Sequence, residues 1–297
     1  MTYSSALKTE LCRRGEAEKD TAAAECYGLL LFCREFSEYR ITMSTENPAV
    51  AQRLRALLKA VLSLDAALCR PGDGPVLHVS LERPQDRRKA LEFFGHAGTR
   101  PPLRLNLPNL EDEVRARAFV RGAFLAAGSM NDPKRRYHLE FVIHAHKLAD
   151  DFSALLTEFG LRPLRSKRSA LHTLYFRDSG GIEDLLTLMG APDRAMELMN
   201  LKIYRDFRNV ANRRANCETA NISRTVDAAA KQVALIRSLQ KDGRLDALPP
   251  ELKELALLRM ENPELSVTEL SAACGIGRSA LSHRLRRLLK FAENPDP

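Results

Sequence analysis

The spacing of hydrophobic residues along the first two thirds of the chain predicts two similar halves. Each half is predicted to contain two helices and two strands in alternation. In the first half these elements fall at residues 20–34, 36–43, 47–64 and 76–81. In the second half they fall at residues 112–128, 137–143, 147–159 and 170–176. A proline-rich segment at 98–109 is expected to cross between them, and Gly28 and Gly122 occupy matching points in the two buried helices. The pattern therefore predicts an internal duplication at the level of the domain.

The rest of the chain is predicted to be helical. A helix at 192–208 precedes a polar stretch at 209–218, which we interpret as a linker, and a long helix at 219–240 follows. Apolar residues of this long helix step alternately by four and three, at positions 222, 226, 229, 233 and 236. This spacing fits either a dimer seam or, the interpretation we favour, a helix lying on its own domain.

The C-terminal segment carries the pattern of a helix-turn-helix. Three helices are predicted at residues 252–260, 270–273 and 278–291. We expect Ser266 or Thr268 to cap the second helix, and Gly275 to supply a positive φ in the tight turn at 274–276. A short glycine-containing turn followed by a basic helix is typical of DNA-binding domains of this type.

The third of these helices has one apolar and one polar face. Its apolar face is expected to pack on the other two helices and consists of Leu281, Leu285 and Leu288. The residues expected at the edges of DNA bases are Ser279, Ser282, His283 and Arg286. Arg286 is the best candidate for reading guanine. The residues expected to contact phosphates are Arg284, Arg287 and Lys290. Double-stranded DNA is the predicted partner, and the alternative is a three-helix bundle with a solvated basic face.

Charge and composition agree with a nucleic-acid partner. The 297 residues carry a formal net charge of +8, which favours binding to a polyanion. Tryptophan is absent and aromatic residues are few, which disfavours stacking on single-stranded bases. The six cysteines are scattered, and no apolar run resembles a signal peptide or a membrane span. We expect a cytoplasmic, nucleoid-associated protein with no membrane partner.

Two basic runs in the second half are candidates for nonspecific contact with the DNA backbone. The first lies in a loop and comprises Lys134, Arg135 and Arg136. The second lies between a helix and a strand and includes Arg165, Lys167 and Arg168. Both runs fit phosphate contact or solvated loops equally well. Three histidines, at 138, 144 and 146, lie near one strand without a matching cysteine or carboxylate spacing. We therefore predict no metal site and no cofactor.

The two buried helices resemble the paired helices of LAGLIDADG homing endonucleases. The first reads YGLLLFCR at residues 27–34, and the second reads RGAFLAAGS at residues 121–129. The resemblance implies close packing of the two helices through small residues, with a metal-binding carboxylate near each helix end. Cys33 and Ala127 occupy these two positions, and neither supplies the anionic oxygen that metal-assisted hydrolysis needs. We predict no catalytic residues, and an active endonuclease is the less favoured alternative.

The chain as a whole, from about residue 5 to 293, resembles the WhiA family of bacterial regulators. The resemblance rests on GAFLAAGSMNDP at 122–133 with YHLE at 137–140, on NCETAN at 216–221 with TVDAA at 225–229, and on LPPEL at 248–252. It implies an α+β fold in which a duplicated LAGLIDADG-like domain is followed by an all-α helix-turn-helix domain. The domain boundaries that we predict are 1–108, 109–210, 211–243 for a linker helix, and 244–297.

The resemblance also implies a cellular role. In actinobacteria it implies transcription control in sporulation, together with an iron–sulfur regulator of the WhiB type. In Firmicutes-like bacteria it implies a role in cell division and chromosome segregation. We predict a sequence-specific DNA-binding regulator. The alternative is a protein-interaction or nucleoid-associated module that binds DNA only nonspecifically.

Overall fold

The computed structural model describes residues 2–13, 19–98 and 103–293. The chain divides into two compact units, Met1–Arg205 and Asp206–Pro297. Residues 99–102 of the predicted crossing segment, and the last four residues of the predicted C-terminal domain, lie outside the described residues. No helix in the described ranges combines the length and the apolar character that crossing a bilayer requires.

The first half of the first unit is an antiparallel four-stranded sheet with helices on one face. Its helices are α1 (Tyr3–Cys12), α2 (Lys19–Leu31), α3 (Pro48–Leu62) and α4 (Pro84–Phe93). Its strands are β1 (Glu35–Phe36), β2 (Ile41–Thr45), β3 (Ala67–Cys69) and β4 (Leu77–Ser80), in the order β1-β2-β4-β3. Side chains on β2 and β4 alternate between buried and half-buried, so one sheet face packs on the helices and the other is open.

The second half repeats this arrangement after a short 3-10 helix at Leu107–Asn109. Its helices are α5 (Glu113–Ala127), α6 (His146–Glu158) and α7 (Ser179–Met189). Its strands are β5 (Gly128–Met130), β6 (Leu139–Ile143), β7 (Leu164–Arg168) and β8 (Leu171–Phe176), in the order β5-β6-β8-β7. The matching strand orders agree with the predicted duplication.

The predicted number of strands was too low in both halves. The single strand predicted at 36–43 is wrong, because a bend at residues 37–39 separates β1 from β2. The strands β3, β5 and β7 were not predicted. All three lie at sheet edges. In β3 and β7 most residues are exposed, which hides the alternation that reveals an inner strand, and β5 alternates but is only three residues long.

The two halves meet along α2 and α5, which approach each other at two glycines. A Cβ atom on Gly28 would lie 2.3 Å from the carbonyl oxygen of Phe119, and one on Gly122 would lie 2.2 Å from the carbonyl oxygen of Glu25. Neither position can hold a side chain at this helix separation. The close packing through small residues that the resemblance implies is therefore confirmed.

A buried ion pair joins the same two helices. Glu25 on α2 is fully buried, and Arg121 on α5 donates from Nε and Nη2 to its Oε2 atom at 3.0 and 2.8 Å. Arg53 on α3 donates to both carboxylate oxygens at 2.8 and 3.0 Å. Burial alone would raise the pKa of Glu25, but the hydrogen bonds from Arg53 and the charge of Arg121 outweigh it and lower the pKa below its usual value.

The helix α8 (Pro192–Lys241) is continuous through the segment that we predicted as a linker. That prediction is wrong. Residues 209–218 are polar and exposed, but they contain no proline or glycine to end a helix. Further along α8, Ala229, Val233 and Ile236 are buried, and Ile236 belongs to the apolar core of the second unit. This part of the helix therefore lies on its own unit, whereas Ile222 and Val226 are more than half exposed.

A small helical core completes the second unit. After a 3-10 helix at Arg244–Ala247 come α9 (Pro250–Glu261), α10 (Val267–Ala273) and α11 (Arg278–Glu293). The core contains Leu252 and Leu255 of α9, Leu270 of α10 and three leucines of α11. Buried Arg259 donates from Nε to the Oε1 atom of Gln232 on α8 at 3.0 Å, and from Nη1 to the carbonyl oxygen of Leu265.

Candidate nucleic-acid interface

The turn between α10 and α11 has the geometry expected from the sequence. Ser266 caps α10 in a reciprocal capping box, in which its hydroxyl accepts from the backbone of Glu269 and the Glu269 carboxylate accepts from its backbone N–H. Gly275 adopts a φ of +66°, which lets the chain turn sharply before α11 begins. The expected capping by Ser266 and the positive φ of Gly275 are confirmed, and together they fix where α11 starts.

The helix α11 has the two faces that the sequence predicts. Leu281, Leu285 and Leu288 are buried in the core of the second unit. The polar candidates Ser279, His283, Arg286 and Lys290 are exposed, and Ser282 is half-buried. The apolar stripe therefore orients the helix so that its base-reading candidates face outward.

The arginines of α11 are not equivalent. Arg287 donates from Nη1 to the Oε1 atom of Glu251 at 2.9 Å, and Nη2 of Arg284 lies 3.5 Å from Oε2 of the same carboxylate. Arg286 makes no side-chain hydrogen bond or ion pair with any described residue. Arg286 therefore differs from Arg284 and Arg287 in having no partner among the described residues. Arg278, the first residue of the helix, is likewise exposed and without a described partner. The role of Glu251 was not predicted, because an acid in the first turn of a helix is already explained by the helix dipole.

The loop with Lys134, Arg135 and Arg136 presents three exposed basic side chains. Its backbone is held by Arg205 of α8, whose Nη2 donates to the carbonyl oxygens of Pro133 and Lys134 at 2.7 and 2.6 Å. The same guanidinium lies 4.7 Å from the ring centre of Tyr137. These three side chains have no partner in the part of the chain that the structure describes, while the loop backbone is anchored.

The second basic run is not a loop but the edge strand β7. The basic side chains of β7 point to two different faces of the sheet. Arg165 is paired with buried Leu174 and lies on the face covered by helices, whereas Arg168 is paired with Leu171 and lies on the open face. Arg165 donates from Nη1 to Oδ1 of Asp150 on α6 at 2.5 Å. Lys167 lies on the same helix-side face as Arg165. Only Arg168 of the three predicted contacts lies on the open face of the sheet.

Cys33 and Ala127 occupy the positions at which homing endonucleases carry their metal-binding carboxylates, at the ends of α2 and α5. Cys33 follows α2, is buried, and donates from Sγ to the carbonyl oxygen of Glu35 at 3.0 Å. Burial raises the pKa of this thiol to about 12, so it is neutral at physiological pH. Ala127 is the last residue of α5. Among the residues that the structure describes, no three His, Cys, Asp or Glu side chains are placed to hold a metal ion.

Two of the three histidines near β6 pair with carboxylates. Nε2 of His138 lies 3.1 Å from Oε2 of Glu140, and Nδ1 of His146 lies 3.0 Å from Oδ2 of Asp150. His138 and His146 therefore contact different carboxylates.

The open face of the first sheet is a second polar surface, which was not predicted from the sequence. It borders a groove of about 580 Å³, whose lining includes Thr42, Ser44, Ser80, Arg34 and Arg40. The alternation of Thr42 and Ser44 with buried Ile41 and Met43 is the signal that could have revealed this face.

Two family models match the chain. A model described as the WhiA LAGLIDADG-like domain matches residues 116–208, and one described as the WhiA C-terminal HTH domain matches residues 211–292. The "Probable cell division protein WhiA" of Clostridium botulinum (strain Eklund 17B / Type B) is 35% identical over 309 aligned residues, which cover 99% of this chain and 98% of the relative. The protein of the same name from Clostridium perfringens (strain SM101 / Type A) is 34% identical with the same coverage.

Solved structures show the same fold. The full-length DUF199/WhiA protein from Thermatoga maritima superposes with a TM-score of 0.63 at 24% identity, covering 99% of this chain and 98% of that one. An N-terminal LAGLIDADG domain of DUF199/WhiA superposes with a TM-score of 0.51 at 21% identity, covering 64% of this chain and 92% of that one. The predicted α+β fold, with its LAGLIDADG-like and helix-turn-helix parts, is thereby confirmed.

Proposed function

Because the chain belongs to the WhiA family, we propose that it is a regulator that reads DNA sequence through α11 and takes part in cell division without cleaving DNA. The observation that carries this proposal is the exposed guanidinium of Arg286, which is unpaired within the described residues and lies on a helix whose opposite face is locked in a core. An arginine of this kind can donate two parallel hydrogen bonds to the O6 and N7 atoms of guanine.

The other polar side chains of α11 complete the proposed contact. Ser279, Ser282 and His283 share the outward side of the helix with Arg286 and would meet base edges. Arg284, Arg287 and Lys290 flank them and would meet phosphates. These assignments make double-stranded DNA the partner of the second unit.

We propose that the first unit is a scaffold that has lost the chemistry of a nuclease. A neutral buried thiol at Cys33 and a methyl group at Ala127 offer no hard oxygen ligand for Mg²⁺. Exposed basic side chains that have no partner among the described residues would instead give nonspecific contact with the DNA backbone; these are Lys134, Arg135, Arg136 and Arg168. Lys167 faces the helix side of β7 and Arg165 is tied to Asp150, so neither is proposed as a contact.

The cellular setting follows from the family. The relatives named for cell division favour a role in division, with nucleoid association and chromosome segregation as proposed consequences. Transcription control in sporulation, with a WhiB-type iron–sulfur regulator as partner, is proposed for the case of an actinobacterial source. Domain boundaries at 1–108, 109–210, 211–243 and 244–297 remain our proposal for dissecting these roles.

Binding to fragments of the source genome tests the proposal. The full chain is incubated with labelled fragments at near-physiological salt and an excess of competitor DNA. We expect a few fragments to be retained selectively. Retention that the competitor abolishes would instead favour a protein-interaction module whose positive charge binds DNA nonspecifically. Metal-dependent nicking of plasmid would contradict the scaffold role and favour an endonuclease.

A further inference from the structure

The arginine pair of α11 is held by one carboxylate. Oε1 of Glu251 accepts a hydrogen bond of 2.9 Å from Arg287, and Oε2 lies 3.5 Å from Nη2 of Arg284. Glu251 stands in the first turn of α9, and Arg284 and Arg287 are three residues apart on one side of α11. A single side chain thus bridges two helices of the domain and engages both arginines.

All three side chains remain accessible to a competing anion. The exposed fractions of the side chains are 41% for Glu251, 33% for Arg284 and 49% for Arg287. An ion pair in such a position is weak, because water screens it. The oxygens of a carboxylate and those of a DNA phosphate both accept charge-assisted hydrogen bonds from arginine. The pairing therefore competes with phosphate binding but is weak enough to be broken.

We infer that Glu251 restrains nonspecific DNA binding by occupying Arg284 and Arg287 in place of phosphates. This inference rests on the proposed function, because it assigns a regulatory role to the same helix face. Arg286 points away from this pairing and has no described partner, so its contact with a base is not restrained in the same way. Because Glu251 weakens the phosphate contacts of Arg284 and Arg287 but not the base contact of Arg286, base contacts contribute a larger share of the binding free energy.

The decisive variant is Glu251→Gln, with Glu254→Gln as its matched control. Glu254 lies on the same helix and is exposed, and it pairs with no described side chain, so the control removes an equal charge without freeing an arginine. We expect Glu251→Gln to bind a random-sequence duplex about three- to tenfold more tightly. The slope of log affinity against log salt should steepen by about 0.9 for each additional phosphate that is bound. The control should change affinity less than about twofold.

A double-mutant cycle separates restraint from a structural effect. In a chain that carries Arg284→Gln and Arg287→Gln, the change Glu251→Gln should no longer raise affinity, since no arginine remains to be freed. Melting temperatures of all variants should agree closely, because exposed ion pairs add little stability. Equal effects of Glu251→Gln and Glu254→Gln, or an effect that persists without the two arginines, would overturn the inference.

The same experiment distinguishes this inference from the function on which it rests. A parent chain that binds both random and genomic duplexes while Glu251→Gln has no effect would overturn the restraint alone. A parent chain that binds no duplex at any salt concentration would overturn the DNA-binding function and the restraint together.

Discussion

A Cβ atom on Gly28 would lie only 3.1 Å from the Cα atom of Gly122. The backbones of α2 and α5 therefore touch directly. The interface between the two halves therefore requires glycine at both positions, because even the methyl group of alanine would clash with the partner helix. The nearby Glu25–Arg121 pair then fixes the register of the two helices.

Gly122→Ala should destabilise the first unit. The new methyl would lie 2.2 Å from the carbonyl oxygen of Glu25, which is backbone and cannot rotate away. Overpacking of this kind costs about 1–3 kcal/mol of the free energy of unfolding. Urea denaturation measures it, with Gly74→Ala as control, because nothing lies within 4 Å of a Cβ at Gly74. Equal stabilities of the two variants would contradict the close approach.

The buried Glu25 should make the free energy of unfolding decrease at low pH. Its pKa is lower in the folded protein than the ordinary 4.5, so its contribution is complete above about pH 4.5 and is lost as the pH falls through the folded value. Glu25→Gln leaves two arginines without their charge partner, which should cost about 3–5 kcal/mol at about pH 7. The stability of this variant should also fall less steeply between about pH 5 and pH 3 than that of the parent. An unchanged slope would contradict a lowered pKa.

The sequence was sufficient where apolar periodicity and backbone requirements coincide. The buried helices α2 and α5, their matched glycines and the leucine face of α11 all follow from such patterns. The edge strand β7 does not, because all five of its side chains are exposed and its basic residues resemble a loop. The polar character of residues 209–218 led to the wrong prediction of a linker, although this stretch contains no glycine or proline, the residues that most strongly break a helix.

Interactions between distant segments were also beyond the sequence. Glu251 and Arg287 are 36 residues apart, and nothing in either helix alone indicates that they pair. Glu25 gave a weak indication of a buried ion pair, since an acidic residue in an apolar helix needs a cation beside it when it is buried. Arg121 stands immediately before the matched glycine of the partner helix and could have been paired with it.

The thiol of Cys33 should be unreactive in the folded protein. Burial raises its pKa to about 12, so almost no thiolate is present at about pH 8. Exposed Cys69 and Cys217 serve as internal controls. Alkylation followed by peptide mass mapping should label both controls and leave Cys33 unmodified until denaturant is added. Labelling of Cys33 at the rate of Cys69 would show that the end of α2 is open to solvent and to metal ions.

The basic loop of the second half should contribute to nonspecific binding through particular charges. Replacing Lys134, Arg135 and Arg136 with glutamine should flatten the salt dependence of binding to a random duplex by up to about 0.9 for each phosphate that is no longer bound. The loop should keep its shape, because Arg205 holds its backbone rather than these side chains. An unchanged salt dependence would show that the loop does not touch DNA.

Two residues of β7 provide the matched comparison. Arg168→Gln removes a charge from the open face, whereas Arg165→Gln removes one that is paired with Asp150 on the other face. We expect the first change to weaken binding to the random duplex and the second to leave it unaltered. Equal effects would mean that DNA does not lie on the open face.

Sequence reading by the second unit depends on contact between Arg286 and a base. The most direct measurement is the ratio of affinities for a selectively retained genomic fragment and for a random duplex, compared between Arg286→Ala and Arg237→Ala. Arg237 is exposed on α8 and has no partner among the described side chains, so both variants lose one equivalent charge. We predict that Arg286→Ala lowers the ratio by about 1–3 kcal/mol, roughly five- to 150-fold, while Arg237→Ala preserves it. The same ratio in both variants would contradict sequence reading by α11.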